Sequence, residues 1–206
     1  MVGWRDTMLE TICNFLFPAQ CASCNALGSG LCERCFPHSD PITISLPTLR
    51  VHALGLYEGA LRHSILALKD GRRDVALTLS ERLASILPPN SLLVPIPTTT
   101  IRQRMRGFDG VVLLARIAAT LANNVQVLEA LERASTTPQQ GRTRVERLAA
   151  RNRFRCRAKA LHDSHLILID DVVTTGSSLE DCALTLRRAG AIVAEAVVVA
   201  TTQRLR

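Results

Sequence analysis

An α/β fold on a parallel sheet, with a small cysteine-rich module ahead of it, is what this sequence predicts. Three observations carry the expectation. Stretches such as "SLLVPIP" (91–97) and "HLILIDD" (165–171) are continuous apolar runs rather than alternations, the pattern of strands covered on both faces. These runs alternate with helix-period segments, as in sheets whose crossovers are helical. Five of the seven cysteines lie between residues 13 and 35, too concentrated to be incidental core thiols.

The 206 residues fit one large domain or one domain with an appendage, and an apolar content of 47% supplies a core and argues against disorder. The expected division is a short helix plus a four-cysteine zinc-binding module over 1–36, a proline-containing linker over 37–50, and the sheet domain over 51–206. Residues 4–17 read as a short helix ending before Pro18. Cys21, Cys24, Cys32 and Cys35 follow as two C-x2-C pairs seven residues apart. Each pair can chelate one ion from a tight turn, and "NALGSG" between them is a turn that brings the pairs together. Four thiolates complete a tetrahedral site suited to structural zinc, with no open coordination position. So short a segment buries little apolar surface, and metal binding would supply its folding energy. Cys13, Cys156 and Cys182 read as ordinary thiols. Pro37, Pro41 and Pro47 then suggest an extended linker that separates the module from the sheet.

From residue 51 the pattern changes. "VHALGLY" (51–57) reads as a strand. "GALRHSILALKD" (59–70) and "VALTLSERLASIL" (75–87) read as helices, the second stopped by Pro88 and Pro89. The strand at 91–97 is followed by an apolar helix, "GVVLLARIAATLA" (110–122), and an arginine-rich tract over 133–159. The strand at 165–171, a helix at 178–191 closed by Gly190, and a strand at 192–202 complete the chain.

The net charge of +7 is uneven: residues 101–160 hold thirteen Arg and Lys against four Asp and Glu. Such a block suits a polyanionic ligand or a solvated basic face. "MVGWRDTMLETICNFLF" places Arg5, Asp6 and Glu10 where the apolar region of a secretory signal would lie. No run approaches the ~18 apolar residues of a membrane span. The expectations are a cytoplasmic protein with reduced thiols and no membrane insertion.

The stretch "LILIDDVVTTGSS" (166–178) brings two aspartates to the carboxyl end of a strand, where open parallel sheets bind ligands. The small, hydroxylated loop after it enters a helix. Its amides and hydroxyls, with the positive end of that helix, form a phosphate cup, and Gly176 lets the backbone approach closely. A phosphate alone would not want carboxylates at the rim. A phosphorylated sugar would, because the carboxylates accept hydrogen bonds from ribose hydroxyls. Competing nucleotide sites lack their motifs: there is no G-x-x-x-x-G-K-[ST] loop and no G-x-G-x-x-G. A phosphoacceptor domain would carry its aspartates on the first strand, with more sheet following.

This stretch resembles the phosphoribosyl pyrophosphate signature of type I phosphoribosyltransferases. The wider pattern resembles the ComF family, which includes competence proteins linked to DNA uptake and gluconate-utilisation accessories. The matching pieces are the cysteine pairs with "FLFP" ahead of them, "YEGALRHSILALKDGRR", "LLVPIPTTTIRQRMRGF", "TTPQQGRTRVER" and the signature itself. The resemblance implies that Asp170 and Asp171 hold the ribose 2′- and 3′-hydroxyls. It implies that Thr174, Thr175, Gly176, Ser177 and Ser178 hold the 5′-phosphate. Arg102, Arg104 and Arg106, joined by Lys69, would face the pyrophosphate, which magnesium bridges to the sugar. Asp109 and Gly110 replace the family's usual Asn-Gln, and Arg142 and Ala150 stand where a leucine and an asparagine are usual. These departures spare the signature and fall on the region of the second substrate.

Two function classes follow. One is a transferase in which an acceptor displaces pyrophosphate at the anomeric carbon, catalysed by positioning and charge neutralisation. The other is a non-catalytic accessory of DNA uptake that binds single-stranded DNA, a phosphorylated ligand or a partner protein. The basic tract suits DNA phosphates, whereas an aromatic content of 3% offers few stacking platforms for single strands.

Overall fold

The structure, a computed structural model, describes residues 18–98, 107–134, 153–158, 161 and 164–203. The helix expected over 4–17, Cys13, most of the 133–159 tract, Arg102, Arg104, Arg106, Arg142 and Ala150 lie outside the described residues.

The apolar runs form the centre of a six-stranded sheet. Its strands are β1 (Ile42–Ser45), β2 (Arg50–Leu56), β3 (Leu92–Pro95), β4 (Gln126–Val127), β7 (His165–Val173) and β8 (Ile192–Thr201). They lie in the order β1-β2-β8-β7-β3-β4, and every pairing is parallel except the β1–β2 edge. The helices are α1 (Gly59–Lys69), α2 (Arg73–Ala84), α3 (Gly110–Leu121) and α4 (Ser177–Arg188). A separate antiparallel ribbon joins β5 (Leu131–Arg133) to β6 (Phe154–Cys156).

Strand geometry divides the apolar runs between two cores, because successive side chains point to opposite faces. Ile167, Ile169, Val197 and Val199 pack with Leu61, Ile65, Leu79, Leu83 and Leu114 of α1, α2 and α3. Leu166, Leu168, Ala196 and Val198 pack with Leu179, Cys182 and Leu186 of α4 and with Leu131 and Phe154 of the ribbon. This two-sided burial explains why β7 and β8 do not alternate in sequence.

Two elements depart from the expectation. Ile42–Ser45, within the stretch read as a linker, form β1, in register with Ala53 to Arg50 of β2. The flanking Pro41 and Pro47 are compatible with an edge strand, where a missing N–H costs no ladder bond. The cysteine segment also packs on the sheet domain instead of standing apart from it. Cys21 is fully buried and Leu31 nearly so, in the same core as Val75 and Leu79 of α2. A Cβ on Gly30 would lie 2.6 Å from Asp74 O and Val75 N, so only glycine permits this approach. Arg72 donates to the Gln20 carbonyl, and Arg82 pairs with Glu33. Smaller differences concern boundaries. α2 ends at Ala84, short of the Pro-Pro stop, with Ile86 and Leu87 closing on Leu83 O and Ala84 O. Among the described residues no helix is long and apolar enough to cross a membrane.

Candidate functional site: the crevice between β3 and β7

Beyond β3 the chain returns through α3 on one face of the sheet, and beyond β7 it returns through α4 on the other. The carboxyl ends of these neighbouring strands therefore part, and a crevice opens between them, as open α/β sheets require at such a switch point. It has a volume of about 180 Å³ and is lined by Ile96–Thr98 after β3, by Val111, Lys69 and Arg133, and by Asp170, Asp171 and Ser178.

β7 runs through both aspartates to Val173, so the pleat sends the two like charges to opposite faces. Asp171 shares the side of Ile167 and Ile169 and meets Lys69, the last residue of α1, with Lys69 Nζ 2.7 Å from Asp171 Oδ2. Asp170 shares the side of Leu166 and Leu168, toward α4, and its Oδ1 accepts the Asp171 N–H at 2.8 Å. Burial is the main force raising the Asp170 pKa, and the charge of Asp171 adds to it. The Asp171 N–H and Lys69 oppose the rise, and the balance leaves the carboxyl pushed up to about 8. The Asp170 carboxyl therefore holds its proton more tightly than an ordinary aspartate, beside the Lys69–Asp171 ion pair.

Adjoining the crevice at Asp170 and Ser178 is a smaller hollow of about 50 Å³, lined by Val172–Leu179. The "TTGSS" residues form much of the wall of this hollow, a small cup. Gly176 precedes α4 with φ +78°, and a Cβ there would lie 2.5 Å from Leu46 Cδ1. Only glycine meets both the left-handed conformation and the close approach. The Thr175 hydroxyl receives the Ser177 N–H at 3.4 Å, and Gln203 Nε2 donates to Thr174 O at 2.7 Å. The first N–H groups of α4 have no intrahelical acceptor, so an anion seated in the cup would meet them at the positive end of the helix. The β1–β2 loop braces the cup. The Thr48 N–H and hydroxyl donate to Glu180, at 3.0 and 2.5 Å, and Arg187 Nη1 donates to the Thr48 hydroxyl at 2.7 Å.

Thus the structure brings Asp170, Asp171, Lys69 and the 174–178 loop to one edge of the sheet. Arg102, Arg104 and Arg106 are outside the described residues. Two further groups at the crevice, Arg133 and Thr98, were not singled out from the sequence, and Asp109 behind them takes a definite role. Arg133 stands on its wall, with Nε 3.0 Å from Pro97 O. Thr98 lines it, its N–H donating to Asp109 Oδ2 at 3.3 Å. Asp109 Oδ1 also accepts from Val111 N and Val112 N, at 3.0 and 3.3 Å. Asp109 is therefore the N-cap of α3, a role that asparagine fills equally well. An aspartate two residues before "VVLL" is a legible capping signal. Arg133, inside a charged tract, had no such signal.

On the α2 side, the Sγ atoms of Cys21, Cys24, Cys32 and Cys35 all lie within 4.8 Å of one another, with Cys24 and Cys32 at 3.6 Å. A tetrahedral ion with metal–sulfur bonds near ~2.3 Å needs sulfur separations of roughly 3.8 Å, so the four thiols fit a metal. Burial pushes the Cys21 thiol up, but the backbone N–H groups of Cys32, Cys24 and Ser23 outweigh it and bring it down to about 6. Such donors favour thiolate, the form that ligates.

No protein-family model matches the chain, and no curated protein matches it. Among solved structures it is similar to a glutamine phosphoribosylpyrophosphate amidotransferase from B. subtilis complexed with ADP and GMP, at 13% identity and a TM-score of 0.44 over 65% of this chain. The chain spans 30% of that protein's length. It is also similar to a hypoxanthine phosphoribosyltransferase from Staphylococcus aureus, at 10% identity and a TM-score of 0.34, covering 69% of this chain and 68% of that one. A purine phosphoribosyltransferase from Pyrococcus horikoshii is similar at 16% identity and a TM-score of 0.31, over 71% of this chain and 77% of that one.

Proposed function

We propose that the chain is a ComF-like, cytoplasmic phosphoribosyltransferase-domain protein. It binds phosphoribosyl pyrophosphate with magnesium and passes the phosphoribosyl group to an acceptor. One observation carries this reading: a carboxylate pair on β7 borders a small, hydroxylated cup at the start of α4, and the two hollows share Asp170 and Ser178. A ligand with ribose hydroxyls between two anionic ends suits that order of groups.

In this reading the cup holds the 5′-phosphate through the amides and hydroxyls of Thr174, Thr175, Gly176, Ser177 and Ser178. Asp170 and Asp171 accept the ribose hydroxyls. The second anionic end, pyrophosphate, lies toward Lys69 and the chain after β3, where Arg102, Arg104 and Arg106 follow in sequence. The carboxylates of Asp170 and Asp171 are suitable oxygen donors toward magnesium, which when bound would neutralise charge on the departing pyrophosphate. Fixing the sugar at both ends exposes its anomeric carbon to an acceptor, and the charged walls stabilise the leaving group as it departs. The four clustered cysteines would hold structural zinc.

The test is pyrophosphate release from phosphoribosyl pyrophosphate and magnesium, screened over candidate acceptors. Release that requires an acceptor and vanishes in Asp170→Asn, Asp171→Asn supports transfer. Tight ligand binding without release under every acceptor favours the second reading, a non-catalytic nucleic-acid- or partner-binding accessory of DNA uptake. The excess of basic residues over 101–160 favours that alternative, but Arg116, Arg153 and Arg157 are each paired with an acidic side chain, which lessens their attraction for DNA phosphates.

A further inference from the structure

We propose that Arg133 is a fixed anion anchor for the pyrophosphate end of the ligand, acting separately from Arg102, Arg104 and Arg106. The assignment rests on the phosphoribosyl reading above and deepens it.

The argument begins in the β5–β6 ribbon. Arg133 ends β5, and its register partner is Phe154 of β6. The Phe154 ring is buried in the α4-side core, and the Arg133 guanidinium lies over it, 5.1 Å from the ring centre. Its Nε–H donates to the Pro97 carbonyl at 3.0 Å. Two contacts thus hold the side chain in place, one at Nε and one across its face. Neither uses the Nη donors, the fork that suits phosphate oxygens.

Several cations near Arg133 have their charge matched. Arg116, Arg153 and Arg157 pair with Glu129, Asp181 and Glu132, and Lys69 on the same crevice wall pairs with Asp171. Among the described residues, the contacts of Arg133 are to a carbonyl oxygen and an aromatic ring. A cation fixed at the wall of a crevice, with no anionic partner among the described residues, is a place prepared for an anion.

Its position decides which anion. Asp170 and Ser178 border both hollows, whereas Arg133 borders the crevice and not the cup. With the 5′-phosphate in the cup and the ribose hydroxyls at the carboxylates, the group that reaches Arg133 is the opposite anionic end. Arg133 would hold that end in the ground state and stabilise its growing charge on departure.

Calorimetric titration of magnesium pyrophosphate and, separately, ribose 5-phosphate tests this on wild type, Arg133→Gln and Arg133→Met. Methionine keeps an apolar stem over Phe154, so charge removal can be read even where glutamine disturbs folding. Either variant should bind pyrophosphate about 10–100-fold more weakly and ribose 5-phosphate within about twofold of wild type. Arg133→Lys, which keeps charge but not the fork, should lose about 3–10-fold for pyrophosphate. Unchanged pyrophosphate affinity in the charge-removing variants overturns the assignment, and so does equal weakening of both ligands. Wild type that binds neither ligand overturns the phosphoribosyl reading and this inference with it.

Discussion

Asp170 sits where the fold favours its neutral form. Burial and the Asp171 charge raise its pKa to about 8, against about 3.9 in an unfolded chain. Between these values the folded protein holds a proton that the unfolded chain has released. The cost of ionising this site therefore grows as pH climbs from about 4 and is complete above about 8. Asp170→Asn removes that cost, and its Oδ1 can still accept the Asp171 N–H. The variant should gain melting temperature over wild type as pH rises from 5 to 8, with the difference levelling beyond; a gap that does not vary with pH would refute the assignment. The same substitution together with Asp171→Asn should weaken phosphoribosyl pyrophosphate binding, each charge-assisted bond lost at Asp171 costing about 1.5–3 kcal/mol, as calorimetry would register.

At the scale of elements, the cup depends on a loop that reads in sequence as a linker. Leu46 closes on Gly176, and Thr48 bridges Glu180 and Arg187 of α4. Gly176→Ala places a β-carbon at φ +78° and against Leu46. The left-handed backbone alone should cost about 1–2 kcal/mol, and Leu46 must also shift. Denaturant unfolding would measure the loss, and ribose 5-phosphate titration should show the cup weakened. Thr48→Ala removes two side-chain bonds without touching the cup and should cost about 1–2 kcal/mol. If it leaves both stability and ribose 5-phosphate affinity unchanged, the brace has no energetic role.

For the molecule as a whole, the decisive question is whether the cysteine segment is an appendage. Cys21 and Leu31 share a core with α1, α2 and α3, and Gly30 touches the start of α2. The physical consequence is joint unfolding. Chelating the metal, or changing Cys24→Ser, should lower a single cooperative transition of the whole domain instead of melting the module alone. Calorimetric scans showing two separate transitions, with the larger one unmoved, would restore the view of an independent module. Metal analysis of the native protein should find about one ion per chain.

The sequence by itself determined the parallel sheet, the alternation of strands and helices, the four clustered thiols and the small, hydroxylated loop before α4. Each is a local pattern: apolar runs where both faces are buried, two-residue spacing where four thiols converge, glycine where the chain turns left-handed. Only the tertiary structure decided the rest, because those features depend on residues far apart in the chain. "ITIS" becomes a strand because β2 offers it an edge, and the cysteine segment packs against the start of α2 because Gly30 lets it approach. The adjacent aspartates part toward Lys69 and α4 because the strand is pleated and covered on both sides. Arg133 reaches the crevice through a ribbon whose strands are some twenty residues apart, with Phe154 and Pro97 holding it there. No local spacing encodes that meeting, since pairing between segments far apart in sequence depends on non-local contacts.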